Sequence, residues 1–165
     1  MKLNLYLLMG WLAASSNSSW AANETVGFIK QKQEGSLVYY SGSVVLEGEF
    51  WYPIVEGERE VVGDQLCFTV AEKDAKLIPR DQDDTRSPWF CFKDTKQSIE
   101  QLGLTEFAKL KACELRGKAT LEVTNYVVDK EQTETNDRAR LVKVIKQPET
   151  VTVKVLYVGG GACED

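Results

Sequence analysis

Residues 36–55 read SLVYYSGSVVLEGEFWYPIV and decide the fold class, because apolar and polar side chains alternate along them. A period of two residues is typical of a β-strand that buries one face. Gly42 and Gly48 indicate bulges or bends in this long strand, and Pro53 ends its regular pairing. We expect Val44, Leu46, Gly48, Phe50 and Tyr52 to point inward, and Val45, Glu47, Glu49 and Trp51 to point outward.

Shorter stretches predict further strands on both sides of one helical segment. Asp94 is a good N-cap for a helix, and Gly103 is a good residue to end it. Thr105 is predicted to begin a second helical turn. In that turn Phe107 and either Leu110 or Ala112 are expected to point inward. Residues 72–87 are expected to form a long polar connection, and residues 129–137 a solvated loop. The predicted strands are 65–71, 88–93, 113–128, 138–146 and 151–158.

This order predicts a mainly β protein, built as a small closed or partly open barrel of five to six strands. A helix between the third and fourth strands resembles the oligonucleotide/oligosaccharide-binding fold (OB-fold). A β-sandwich or a lipocalin-like half barrel is the alternative. We expect one domain at 36–158, an N-terminal arm at 22–35 and a tail at 159–165.

Residues 1–21 have the pattern of a secretory signal peptide. Lys2 precedes an apolar run at 3–14, and Ser19-Trp20-Ala21 places small residues at the −3 and −1 positions of a cleavage site. The apolar run is shorter than the roughly 20 residues that span a bilayer. We therefore expect an exported protein, periplasmic or extracellular, with no transmembrane segment.

The four cysteines are Cys67, Cys91, Cys113 and Cys163. An even number in an oxidising compartment predicts two disulfides, whereas zinc sites usually contain closely spaced cysteine pairs. We expect Cys67 to pair with Cys91 across neighbouring strands, and Cys113 with Cys163. The pairing of Cys67 with Cys113 and Cys91 with Cys163 stays open.

The composition argues against most enzyme classes. The 165 residues include no histidine, which removes the commonest general base and metal ligand. The net charge of −5 argues against a nucleic-acid partner, which requires a basic surface. We predict no catalytic residue, no metal site and no cofactor.

Three groups of residues are candidate sites. Trp51 and Trp89 are predicted on outer strand faces, where exposed aromatic rings bind sugars or proteins; burial is the alternative. Glu47 and Glu49, about 7 Å apart along one strand face, have the spacing of a glycosidase pair, although solvated faces often show it. The acidic stretch 81–84 offers calcium ligands but lacks the glycine and glutamate of an EF-hand loop.

These observations favour an exported, disulfide-stabilised binding domain without catalytic activity. Its expected partner is a protein or a glycan in the cell envelope or outside the cell. A small carboxylate-dependent hydrolase or lyase is one alternative. An inhibitor or a structural envelope component is another.

Overall fold

The computed structural model describes residues 27–54, 64–81, 83–110, 112–130 and 137–155. The predicted signal peptide, the tail at 159–165 and Cys163 lie outside the described residues. The protein is mainly β, with an eight-stranded sheet. Its strands are β1 (Ile29–Glu34), β2 (Leu37–Ser41), β3 (Ser43–Pro53), β4 (Cys67–Val70), β5 (Trp89–Phe92), β6 (Ala112–Asp129), β7 (Asp137–Lys146) and β8 (Val151–Val155).

The predicted strand at 36–55 is divided into β2 and β3 at Gly42. Gly42 has a φ of 91°, a backbone conformation that residues with a side chain rarely adopt, so the chain bends there. The predicted bend at Gly48 is wrong, because Gly48 lies within the regular pairing of β3 with β4 and β6. A Cβ atom at Gly48 would overlap the Thr69 carbonyl oxygen and the Phe68 ring, so this glycine permits close packing instead.

The sheet is partly ring-like. β3 pairs with β4, β4 with β5, and β5 with β7 in a parallel pair, and β7 and β3 both pair antiparallel with β6. β6 also pairs with β2 at one end and β8 at the other. The 18-residue strand β6 therefore connects most of the sheet.

The ring surrounds the main hydrophobic core. The alternation predicted for β3 and β6 is confirmed, because the inward side chains at even positions of β3 and odd positions from 115 to 123 of β6 are mostly buried. Aromatic rings fill the centre, and their centroids lie 5.5–5.7 Å apart between Phe90 and each of Phe68, Phe92 and Tyr126. This packing anchors the ring, because aromatic side chains bury a large apolar area.

The helix between β5 and β6 follows the predicted signals. Helix α1 (Thr95–Gln101) begins after Asp94, whose side chain accepts a hydrogen bond from the Gln97 backbone N–H at 2.9 Å. It ends before Gly103, which has a φ of 69°. The following turn is a short 3₁₀ helix, Phe107–Lys109. Leu110, one of the two inward residues offered for this turn, is exposed instead, and the side chain of Ala112 lies outside the described residues.

The connection between β4 and β5 contains a 3₁₀ helix, Glu72–Leu77, where the sequence predicted only a long polar connection. It lies beside β3, because the backbone N–H of Glu47 donates to the Asp74 carboxylate at 2.8 Å. Farther along, Ile78 is buried in the core. The polar connection therefore packs against the sheet at both points.

The prediction of a solvated loop at 129–137 is wrong at its last residue. Asp137 begins β7 and its side chain is fully buried, contacting Arg80 at 2.5 Å and Arg86 at 3.6 Å. The Tyr126 hydroxyl donates to Asp137 at 2.8 Å. Burial raises the pKa of Asp137, and the two arginines offset part of that rise. These contacts hold the β4–β5 connection against the start of β7.

Candidate functional site

Two tryptophans and a disulfide form a small cluster on the outer face of the sheet. Trp51 of β3 lies opposite Cys67 of β4, and Cys67 lies opposite Cys91 of β5. The two cysteines are buried and disulfide-bonded, which confirms the predicted first pair. Trp51 and Trp89 pack against the disulfide and are partly buried. We refer to these four residues as the tryptophan–disulfide cluster.

Strand periodicity explains how the cluster forms. Trp51 follows the buried Phe50, and Trp89 precedes the buried Phe90, so each tryptophan faces away from the core. The two indole rings therefore pack on the apolar surface of the disulfide. The predicted outward placement of both side chains matches this arrangement, and their predicted role in binding stays a prediction.

Polar contacts fix the orientation of the Trp51 ring. Its indole N–H donates to Glu114 at 2.8 Å. Arg116, opposite Trp51 on β6, donates to the same carboxylate at 2.8 and 3.1 Å and approaches Glu49 at 3.8 Å. Glu114 therefore accepts hydrogen bonds from both Trp51 and Arg116 and links these two side chains. Alternation along β6 places Glu114 and Arg116 outward but contains no sign of this network.

A cleft of about 440 Å³ adjoins Trp51 through Glu49 and Arg116. It is bounded by the outward residues of β3 and β6 and by the turn between β7 and β8. Its charged lining residues are Glu47, Glu49, Arg116, Lys118, Lys146 and Glu149, and the polar ones include Thr120, Gln147, Thr150 and Thr152. No local sequence pattern predicts this cleft, because the turn at 147–150 reaches β3 only through the long-range pairing of β6.

Both members of the proposed glutamate pair lie beside cationic side chains. Glu47 accepts a hydrogen bond from Lys73 at 2.6 Å, and this contact holds the pKa of Glu47 below its usual range. Glu49 lies near Arg116. A glycosidase acid must keep its proton, which requires a raised pKa. The lowered pKa of Glu47 is the opposite of this requirement.

The acidic stretch at 81–84 is engaged in ion pairs. Arg86 binds Asp84 through two hydrogen bonds of 2.9 and 2.7 Å, and these contacts hold the pKa of Asp84 well below its usual range. Asp81 pairs with Lys130 at 2.5 Å. Over the described ranges, no group of three or more carboxylate, cysteine or histidine side chains is placed to hold a metal ion.

Only one cysteine of the second predicted disulfide lies within the described residues. Cys113, at the start of β6, is buried and disulfide-bonded. Cys163, its predicted partner, lies outside the described residues, so the pairing stays a prediction.

Within the part of the chain that the structure describes, no helix has the length and apolar character needed to cross a membrane. Comparison of the chain with protein-family models, curated proteins and solved structures finds no match. The site described above is therefore the basis for a functional proposal.

Proposed function

We propose that this chain is an exported, non-catalytic binding domain that engages a protein or glycan through the tryptophan–disulfide cluster. One observation carries the proposal: two large aromatic side chains lie partly exposed on the face of the sheet opposite the core, both packed against the Cys67–Cys91 disulfide. Stability alone does not require aromatic rings there, since polar residues suit a solvated sheet face. Tryptophan and tyrosine are enriched at binding surfaces because they combine a large apolar area with a polar group.

The fold we propose is an OB-like barrel formed by β3, β4, β5, β6 and β7. The support is a ring of pairings among these five strands, with α1 between the third and the fourth of them. OB-folds bind oligonucleotides and oligosaccharides on the face of their second and third strands. In this chain those strands are β4 and β5, which carry Cys67, Cys91 and Trp89 on their outer face. The analogy therefore leads to the same surface as the two partly exposed tryptophans.

Export to the periplasm or the extracellular space is part of the proposal. A disulfide persists in oxidising compartments and is rare in the cytosol, so the Cys67–Cys91 bond supports it. Mass spectrometry of the protein purified without reductant from its natural source tests this. We expect cleavage after Ala21 and no alkylatable thiol. Free thiols at all four cysteines would contradict export.

The binding role is tested with the Trp51→Ala, Trp89→Ala double variant. The wild type is screened against a glycan array and against envelope and secreted proteins of its source, and each ligand found is titrated against both forms. We expect at least one ligand whose affinity falls tenfold or more in the double variant. Tyr39→Ala is the matched control, because Tyr39 is a partly buried aromatic residue on β2, outside the cluster.

The proposal fails if no ligand is found, or if ligands bind the double variant as tightly as the wild type. Circular dichroism and a thermal unfolding curve establish that each variant is folded. Trp51→Phe and Trp89→Phe keep an aromatic face, so they are expected to retain most of the affinity even if the alanine variants lose stability.

A further inference from the structure

The cleft beside Trp51 has balanced charge. Three carboxylates and three cationic side chains line it, and part of that charge is paired within the cleft: Lys146 contacts Glu149 at 2.7 Å, and Arg116 contacts Glu49 at 3.8 Å. A ligand with a net charge would meet groups of its own sign in the cleft, whichever sign it carried. A charged surface favours a partner of opposite charge, so a cleft whose charges balance favours an uncharged ligand.

The same side chains supply both donors and acceptors of hydrogen bonds. Ammonium and guanidinium groups donate, carboxylates accept, and the hydroxyls of Thr120 and Thr152 do both. Hydroxyl groups on a ligand need donors and acceptors in close alternation, because each hydroxyl can play either role. The lining of this cleft therefore suits a ligand rich in hydroxyl groups and without formal charge.

The cleft and Trp51 form one continuous surface. Glu49 precedes Trp51 by two positions on the same strand face, a separation of about 7 Å. Arg116 lies directly across from Trp51 on β6 and also lines the cleft. The bond from the indole N–H to Glu114 holds the ring in place before any ligand arrives. A rigid aromatic face lowers the ordering cost of binding.

We propose that Trp51 and this cleft together bind a neutral oligosaccharide. One sugar ring stacks on the Trp51 indole, and the hydroxyls of the next units form hydrogen bonds to Glu49, Arg116 and Lys118. This inference rests on the proposed function and narrows its partner to an uncharged glycan. Single-stranded nucleic acid, which also stacks on aromatic rings, requires an excess of cationic groups that the cleft does not provide.

The test measures binding to defined probes by isothermal titration calorimetry. The neutral probes are the hexasaccharides of cellulose, xylan, mannan and chitin, and the charged probes are hexagalacturonate and a twelve-residue oligothymidylate. We expect one neutral class to bind with an affinity that changes less than twofold between 0.05 and 0.5 M NaCl. A neutral ligand forms no ion pairs for salt to screen.

Variants then locate the bound glycan. We expect Trp51→Ala to lower the affinity tenfold or more, and Lys118→Met and Glu49→Gln to lower it about threefold to tenfold each. The matched control is Lys30→Met, which changes an exposed lysine on β1 and should leave the affinity unchanged. Trp51→Phe should restore most of the affinity lost in Trp51→Ala, which distinguishes stacking from a folding defect.

The outcomes separate this inference from the proposed function. If a charged probe binds instead, with an affinity that falls with salt, or if Lys118→Met and Glu49→Gln have no effect, the inference is wrong. The proposed function survives in both cases when binding still depends on the tryptophans. A ligand that is a protein, bound through Trp51 and Trp89, likewise overturns only the inference. If no ligand of any class depends on the tryptophans, both are wrong.

Discussion

The two faces of strands β3, β4 and β5 carry aromatic residues in very different settings. On the inner face, Phe50, Phe68 and Phe90 are completely buried within the core that fills the ring. On the outer face, Trp51 and Trp89 cover a single disulfide and remain partly exposed. Consecutive residues in the chain thus provide one ring for stability and one for the surface. The difference shows that the outer aromatics are not a second core of comparable size.

The largest expected effect comes from truncating neighbouring aromatic residues on opposite faces. Phe50→Ala and Phe90→Ala should lower the free energy of unfolding by about 3–5 kcal/mol, because each leaves a cavity in packed surroundings. Trp51→Ala and Trp89→Ala should cost about 1–2 kcal/mol, because each ring is already partly hydrated. Urea unfolding of the four variants measures the difference. Equal losses on both faces would show that the outer cluster is structural.

A smaller loss of stability is expected when the disulfide of the tryptophan–disulfide cluster is removed. Replacing Cys67 and Cys91 together by alanine should lower the free energy of unfolding by about 3 kcal/mol, from the 24-residue separation of the two cysteines. The inner core should persist, so the far-ultraviolet circular dichroism spectrum should be unchanged. The fluorescence of Trp51 and Trp89 should change, because their packing partner is gone. Unchanged fluorescence would mean that the disulfide does not position the rings.

The connection between β4 and β5 provides the next test, since it joins the two strands that bear the disulfide. Asp84→Asn should lower the free energy of unfolding by about 1–3 kcal/mol at pH 7, because it removes the charge that Arg80 and Arg86 contact. Asp83→Asn, at an exposed position in the same connection, is the matched control.

The pH dependence of this effect has a definite sign. The pKa of Asp84 is lowered in the folded protein, so its ionised form stabilises the fold fully above the ordinary pKa of about 4. That stabilisation is lost as the pH falls below this value toward the lower folded-state pKa. The difference between the urea midpoints of the wild type and Asp84→Asn should therefore be constant above about pH 5 and should shrink as the pH falls below about 4. A difference that stays constant through this fall in pH would contradict the ion-pair role of Asp84.

The smallest expected effect is a change in the pKa of Glu47, a polar residue on the outer face of β3. In Lys73→Ala, the pKa of Glu47 should rise toward its ordinary value, because the main cause of its lowering is removed. Carboxylate resonances followed by NMR during an acid titration measure this shift. Lys76→Ala, in the same 3₁₀ helix, is the control. If Glu47 titrates at a raised pKa in the wild-type protein, the hydrolase alternative regains its proton donor.

Local patterns were sufficient to predict most of the strands, the helix and the face on which most residues lie. They missed β1, which lies in the predicted N-terminal arm at 22–35, and treated β2 and β3 as one strand, so the sheet has eight strands instead of five to six. The alternation in β3 and β6 identified the inward residues, and Asp94 and Gly103 identified the bounds of the helix. The Cys67–Cys91 pair followed from the expectation that two neighbouring strands run antiparallel. Each of these signals depends on residues close in sequence or on one simple pairing.

The features that were missed depend on long-range contacts. The polar sequence around Asp137 predicts a solvated residue, but its side chain is buried against Arg80 and Arg86, which are more than 50 residues away in the chain. The cleft likewise combines β3 with the turn after β7, about 100 residues later in the chain. Gly48 shows the same limit, because its role depends on the Phe68 ring packed against it. No periodicity within a single segment contains this information.

The position of β6 has a consequence for how quickly the protein folds. This strand pairs with β2, β3, β7 and β8, and its partners on β3 lie about 60 to 80 residues away in sequence. Chains whose contacts are mostly distant in sequence fold slowly, on a timescale of about milliseconds to seconds. Until β6 docks, β3 and β2 present unpaired edges that other chains can bind. Refolding should therefore lose yield as protein concentration rises, well before the native state itself shows any tendency to associate.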